Sequence, residues 1–175
     1  MIELVEYDPA WPQRFARAAD EIRGALGPVA LAVEHIGSTA LPGALAKPSI
    51  DLAVQVESFD LLPARYDCLA RAGFRRLRRQ PAGHRVLVRE TAGERTEIAH
   101  FFRSDGWEHC SQRLFRDWLL THADDLARYL TVKAQAAAAA TTVRDYTARK
   151  AAVVHELTNK ARAQYGLAPL SELDH

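Results

Sequence analysis

An α+β fold is predicted for this chain on three observations. Near the start, Phe15, Ala18, Ile22 and Leu26 recur at helical spacing. Five short strand-like stretches follow between residues 30 and 102. From Trp107 to about Tyr165 the pattern is helical throughout. A helix, a mixed sheet and a helical last third do not form the alternating order of a parallel βαβ protein.

The 175 residues are of a size for one domain. We divide it into a core over 1–105, a helical part of the same domain over 106–165, and a loose tail over 166–175. Of its residues, 48% are hydrophobic, but much of that is alanine, which has little surface to bury. The core is therefore expected to rest on Trp11, Phe15, Val33, Ile36, Ile50, Leu52, Val54, Val86, Phe101, Trp118 and Leu119.

The elements follow in order. Ile2 to Tyr7 is extended, and Asp8-Pro9 turns into a helix from Ala10 to Leu26, with Asp8 as cap. Gly27-Pro28 stops it. A strand over Ala30 to Ile36 runs into a loop of small residues. Ser49 to Val56 is apolar on both faces, as a central strand would be. A helix over Phe59 to Ala72 ends at Gly73. Phe74 to Arg79 reads as a strand and Gln80 to Gly83 as a turn. His84 to Glu90 and Arg95 to Phe102 form a hairpin through Thr91-Ala92-Gly93-Glu94. Three helices then cover Trp107 to Thr121, Ala123 to about Ala140, and Thr142 to about Tyr165. His122 and Thr141-Thr142 break them, Thr142 offering a hydroxyl cap.

The formal charge is +1, from 23 basic and 22 acidic residues. That balance favours neither nucleic acid nor a membrane surface. No apolar run reaches the ~20 residues of a membrane helix, and no signal pattern opens the chain. Cys68 and Cys110 stand alone, without the spacing of a disulfide framework or a zinc site. A cytoplasmic protein is expected. The sequence leaves the oligomeric state open.

Chemistry concentrates in Glu34-His35-Ile36-Gly37-Ser38-Thr39-Ala40-Leu41-Pro42-Gly43 and Lys47-Pro48-Ser49-Ile50-Asp51-Leu52. A strand delivers the chain into Gly37-Ser38, where glycine admits a ligand close to the backbone. Ser38 and Thr39 offer hydroxyls, and amides entering a helical turn would face an anion. Asp51, on the next strand, could hold Mg²⁺ against a phosphate. The same residues also make ordinary turns. His35 could serve as acid or base, or anchor the turn by a hydrogen bond. Lys47 could neutralise a phosphate. Arg76, Arg78 and Arg85 are further ligand candidates, or part of a charged strand that resists aggregation.

This stretch resembles the motif of the GrpB family. The likeness extends to Val5 through Pro12, to Phe115 through Leu119, and to Tyr129, Lys133, Tyr146 and Lys150, so that about residues 2–154 are covered. The resemblance implies a nucleotidyltransferase-like fold. In that superfamily a glycine-serine pair and three carboxylates hold metal and a nucleoside triphosphate. Gly37 and Ser38 match the pair and Asp51 the first carboxylate. The second would fall at Ala53, where none is present. Arg95-Thr96-Glu97-Ile98-Ala99-His100-Phe101 replaces a histidine-rich strand of the family, and His100 matches its last histidine. Glu97 is the candidate third carboxylate and, with Asp51, the expected metal ligand.

The resemblance thus implies a Mg²⁺-dependent transferase using a nucleoside triphosphate and a small-molecule acceptor. Its catalytic candidates are Asp51, Glu97, His100 and His35; Gly37, Ser38, Thr39, Lys47, Arg76 and Arg78 would bind the nucleotide. The alternative is a non-catalytic nucleotide-binding or accessory module near coenzyme A metabolism, since family members occur fused to dephospho-coenzyme A kinase. Lys133, Tyr146 and Lys150 could close over the site from the helical third.

Overall fold

The structure, a computed structural model, describes residues 2–171. Helix α1 spans Trp11–Leu26, with Pro12 in the first turn, where a missing N–H costs nothing. Asp8 accepts from the Ala10 amide at 2.8 Å, so it shapes the turn before the helix rather than capping it. Gly27, at φ 58°, ends α1.

The strands are β1 (Ala32–Ile36), β2 (Ile50–Val56), β3 (Arg75–Arg76), β4 (Arg85–Thr91) and β5 (Glu94–Arg103). They lie in the order β1-β2-β5-β4-β3. β2 pairs antiparallel with β1 and parallel with β5, which makes it central, as its apolar run predicts. A two-residue turn joins β4 to β5, with Ala92 and Gly93 both at positive φ, the geometry that matches strand twist.

The period of two divides the sheet into faces. Ile50, Leu52, Val54, Val56, Ala99 and Phe101 pack against Trp11, Ala18, Ile22 and Leu26 of α1 in the main core. Ile36, Ala53 and Phe102 face the other way, against Trp107 and Cys110. Asp51 is in step with Ala53 and so lies on this second face.

Several elements differ from the sequence expectation. Residues 59–72 do not form one helix: two 3₁₀ turns, Phe59–Leu61 and Pro63–Arg65, precede a short α2, Tyr66–Arg71. Pro63 accounts for this, because its ring clashes with the carbonyl four residues back and it has no N–H to donate. Only Arg75 and Arg76 of the expected 74–79 strand pair with β4. The helix expected from Trp107 begins earlier and breaks: α3 is Ser104–Trp107 and α4 is Ser111–Thr121, separated by an extended Cys110. α5 (Ala123–Ala139) and α6 (Val143–Gln164) follow, and Thr142 caps α6 by accepting from the Asp145 amide. Of the expected loose tail, Leu170 donates its amide to Asn159 Oδ1 and Ala168 accepts from Arg162, so this stretch is tied back to α6; residues 172–175 lie outside the described residues.

α4, α5 and α6 close over the second face. Leu41 and Ala44, in the loop between β1 and β2, are buried with Leu119, Tyr129, Val153 and Leu157. The helices therefore sit on the motif loop itself. Glu34 on β1 fastens α4 with bonds of 2.8–3.0 Å from Arg113 and Arg116. β1 is also an edge strand, and guanidinium groups occupy its carbonyls: Arg23 donates to Val33 O at 3.4 Å and Arg116 to His35 O at 2.8 Å. Such capping blocks pairing with another chain.

Glu34→Ala leaves two largely buried arginines without their carboxylate and is expected to cost about 3 kcal/mol in urea unfolding. The two arginines also hold the Glu34 carboxyl below its usual value, against the opposing effect of burial. Their contribution is present above the unfolded-state carboxyl pKa and is lost as pH falls through the depressed folded value. The gap between wild type and Glu34→Ala should therefore narrow in acid.

Candidate functional site

The pairing of β1 with β2 sets Ile36 opposite Asp51, so the next residue, Gly37, turns directly over that carboxylate. Its φ is 72°, and a Cβ built on it would stand 2.4 Å from Asp51 Oδ2. No side chain fits there. The chain then makes a single 3₁₀ turn, Ser38–Ala40. The expected meeting of the glycine-serine turn with Asp51 is thus present, on the face covered by α4–α6.

Two histidines extend from Asp51 across the sheet. His100 of β5 places Nε2 3.5 Å from Asp51 Oδ1. Its Nδ1 lies 3.3 Å from Nε2 of His84, whose ring stacks on Phe102 at 5.0 Å between centroids. Burial, with the neighbouring His100 adding, pushes the His84 pKa down to about 4, so His84 is neutral at pH 7.

The helical third supplies the opposite wall. Ser38 Oγ and Tyr129 Oη of α5 share a hydrogen bond of 3.2 Å. Lys133, one turn on, is almost fully buried and donates to Leu45 O at 2.6 Å. Lys150 of α6 stands 4.0 Å above the ring of Tyr146. Burial, with the charge of Lys150, lowers the Lys133 pKa to about 7, while Asp51 opposes the shift. Lys150 is lowered to about 8 by burial; Asp51 opposes this and Lys47 adds to it. Asp51 also acts on Tyr129, whose hydroxyl is pushed up chiefly by burial. Two amines and a phenol thus share the field of one carboxylate.

Other expected residues are placed elsewhere. His35 alternates with Glu34 and Ile36 and faces α1, where its ring stacks on Phe15 at 4.8 Å. Its Nε2 and Thr39 Oγ1 are 3.0 Å apart, and Thr39 in turn donates to Ser49 O. His35 therefore braces the turn from behind through the buried Thr39, on the face of the sheet opposite Asp51. Burial lowers the His35 pKa to about 4.

Glu97 is a second correction. It pairs with Ile50, one residue out of step with Asp51, and so points to the α1 face. There Arg89 donates to it at 2.9 Å and Thr96 at 2.5 Å, and the carboxyl is held below its usual range despite burial. Glu97 is not a carboxylate of this site. Arg76 lies over the Tyr66 ring of α2 at 4.6 Å, and Arg78 is exposed beyond the end of β3, with β4 and β5 between that strand and β2. Neither reaches Asp51.

These placements test the fit of magnesium. A pair of ions needs a cluster of carboxylates. Ala53 and the inverted Glu97 leave Asp51 as the one acid of the expected three, and among the described residues no group of three or more acidic, histidine or cysteine side chains could hold a metal. Two ions do not fit. One Mg²⁺ commonly uses one or two carboxylates with waters and substrate phosphates, and Asp51 fits that simpler role.

In the sequence His84 marks only the start of a strand, because cross-strand register is not visible there. Tyr129 and Lys133, four apart beside Ala136 and Ala137, carried a usable signal: a lysine on a buried helical stripe. Tyr146 and Lys150, with Val153, repeat it on α6.

A family model described as GrpB protein matches residues 1–160. This chain belongs to the GrpB family. A UPF0157 protein of Halalkalibacterium halodurans is 39% identical over 167 residues, spanning 93% of this chain and 83% of that protein. A dephospho-CoA kinase of Mycobacterium tuberculosis is 34% identical over an alignment of 160 residues that covers 76% of this GrpB-family chain and only 39% of the kinase. Among solved structures, conserved protein GrpB from Enterococcus faecalis superposes with TM-score 0.84 at 29% identity, over 94% of this chain and 99% of that one. Cid1, described by its RNA terminal uridylyl transferase activity, superposes with TM-score 0.50 at 20% identity, over 74% of this chain and 42% of its own. That likeness bears on the fold alone, which is nucleotidyltransferase-like. No helix among the described residues is long and apolar enough to cross a membrane.

Gly37→Ala combines a strained φ with a clash on Asp51, whereas Gly43→Ala meets the strain of φ 76° with open space around it. Both should lower stability by about 1 kcal/mol or more, and Gly37→Ala the more. Pairing it with Asp51→Ala should recover the excess, as read in a double-mutant cycle of thermal unfolding.

Proposed function

We propose that the recess bounded by the Gly37-Ser38 turn, Asp51 and the lysines of α5 and α6 binds the polyphosphate of a nucleoside triphosphate. The observation that carries this is the excess of amines over carboxylates. Lys133 and Lys150 stand close enough for their charges to act on each other and for Asp51 to act on both, and the charge of Lys47 reaches Lys150. The burial that lowers the pKa of Lys133 and Lys150 opposes keeping them charged. An anionic ligand would offset that cost, since a paired charge is far less penalised than a lone one. Asp51 would hold one Mg²⁺, which when bound neutralises phosphate charge. Ser38 and the backbone at Gly37 would lie along the phosphates.

In this role the protein is nucleotidyltransferase-like and serves a small-molecule acceptor, because its net charge of +1 provides no general field for nucleic acid. The absence of a second acid at Ala53 and the orientation of Glu97 favour a second possibility. The chain would then bind the nucleotide without transferring it, as an accessory module. The partial match to dephospho-CoA kinase is consistent with such a module near coenzyme A metabolism.

Calorimetric titration with ATP, with and without Mg²⁺, tests the binding. Lys150→Ala should weaken it at least about tenfold, the worth of one charge-assisted bond. Asp51→Ala should remove the Mg²⁺-dependent part. Affinity should fall between pH 7 and pH 9 as Lys150, with its pKa of about 8, loses its proton. No heat with any nucleoside triphosphate at millimolar concentration would end this proposal. Pyrophosphate release in the presence of candidate acceptors separates transfer from binding alone.

A further inference from the structure

Charge is spread very unevenly along this chain. Residues 61–89 hold eight arginines, no lysine and one acid, Asp67, a balance of +7. The rest of the chain therefore carries −6 against the overall +1. Of the eight, Arg89 meets Glu21 and Glu97. Among the described residues none of the other seven has a carboxylate partner, whereas Arg113, Arg116, Arg128 and Arg149 elsewhere are paired.

The unpaired arginines gather around β3, the last strand of the sheet. Arg71 ends α2 just before it, Arg75 and Arg76 form it, and Arg85 opens the neighbouring β4. Arg78 and Arg79 follow it and are exposed, as are Arg71, Arg75 and Arg76. Two of the guanidinium groups are held ready by aromatic rings: Arg76 over Tyr66 at 4.6 Å and Arg85 over Phe59 at 4.7 Å. Stacking of this kind orients the planar group and leaves its N–H donors free. Protection of the edge does not account for so many charges. A strand of two residues is already too short to template another, and unpaired like charges repel one another.

The arginines also point in several directions. Arg76 pairs with Leu87 and Arg85 with Phe101, which puts both on the α1 face. Arg75 pairs with Val88 and lies on the opposite face. A rigid duplex would meet one side of such an end, but a flexible strand can pass around it. The short edge offers little backbone for an acidic peptide to pair with, and arginine without lysine suits phosphate, which it binds by two parallel bonds.

We propose that the β3 end of the sheet is a docking surface for single-stranded nucleic acid, held through its phosphates by the unpaired arginines between residues 65 and 85. This goes beyond the nucleotide recess and does not rest on it. β5 and β4 separate β3 from β2, so at ~4.8 Å per strand the surface lies about 14 Å from Asp51. The bound strand is therefore not the acceptor of that site. The overall charge gives no general attraction for a polyanion, and the −6 of the remaining chain turns it away from other surfaces.

Fluorescence anisotropy of a labelled oligothymidylate of about 15 residues tests this, within the range of single-strand site sizes. If the five exposed arginines each meet a phosphate, log affinity should fall with log salt at a slope of about −3.5, a loss of about a hundredfold between 50 and 200 mM. Arg78→Ser and Arg79→Ser should each weaken binding and reduce the slope by about 0.7. Arg144→Ser, an exposed arginine on α6 that also lacks a carboxylate, should change neither. Binding should stay level from pH 6 to pH 9, because arginine keeps its charge throughout. No binding at 50 mM salt, an equal loss in Arg144→Ser, or an oligoglutamate peptide of equal charge competing as well as unlabelled oligonucleotide would overturn the proposal. No nucleoside triphosphate is used, so failure of ATP to bind the recess would leave this surface standing, and the reverse holds equally.

Discussion

At Gly37 the chain leaves β1 with a left-handed backbone and passes over the carboxylate of Asp51 with no space for even one methyl group. This contact sets the geometry of the whole site. The antiparallel register of β1 and β2 brings the two residues together, and the parallel register of β2 and β5 then places His100 beside the same carboxylate. Ser38, the next residue, is thereby directed at Tyr129. A side chain at position 37 would separate the turn from the sheet, and every later contact would shift with it.

The two faces of the sheet do different work. The α1 face is sealed by apolar side chains and spends its charged groups on one another, as in the Arg89–Glu97 pair. The opposite face keeps polar groups beneath a helical lid held on by Glu34 and by the packing of Leu41 and Ala44. Lys133 belongs to both packing and chemistry. Its bond to Leu45 O fixes the motif loop, while its buried amine faces the field of Asp51. A lysine so placed has little freedom left to lose on binding a ligand, which lowers the entropic cost of its ordering.

Much of this was legible in the residues. The helices, the central position of β2 and the convergence of Gly37-Ser38 with Asp51 follow from periodicity, turn residues and the motif. What escaped was register and long-range pairing. Glu97 and His100 are three apart on one strand, so only one of them can share a face with Asp51, and the choice depends on a cross-strand pairing that local sequence does not encode. The same holds for His84, which meets His100 only because β4 pairs Val86 with that residue. His35 looked catalytic through its neighbours in sequence, but alternation along β1 turned it toward Phe15. The arginines at 76 and 78 fell on the far side of the sheet, a matter of strand order rather than composition.

Arg116 grips Glu34 with one nitrogen and occupies the carbonyl of His35 with another. One side chain thus holds down the lid and guards the open margin of the sheet. Damage at this point would therefore do more than loosen a helix. It would bare the carbonyl of His35 on the outermost strand while the remainder of the sheet is still formed, and the molecule's first route to failure would be sticking to its own kind rather than coming undone.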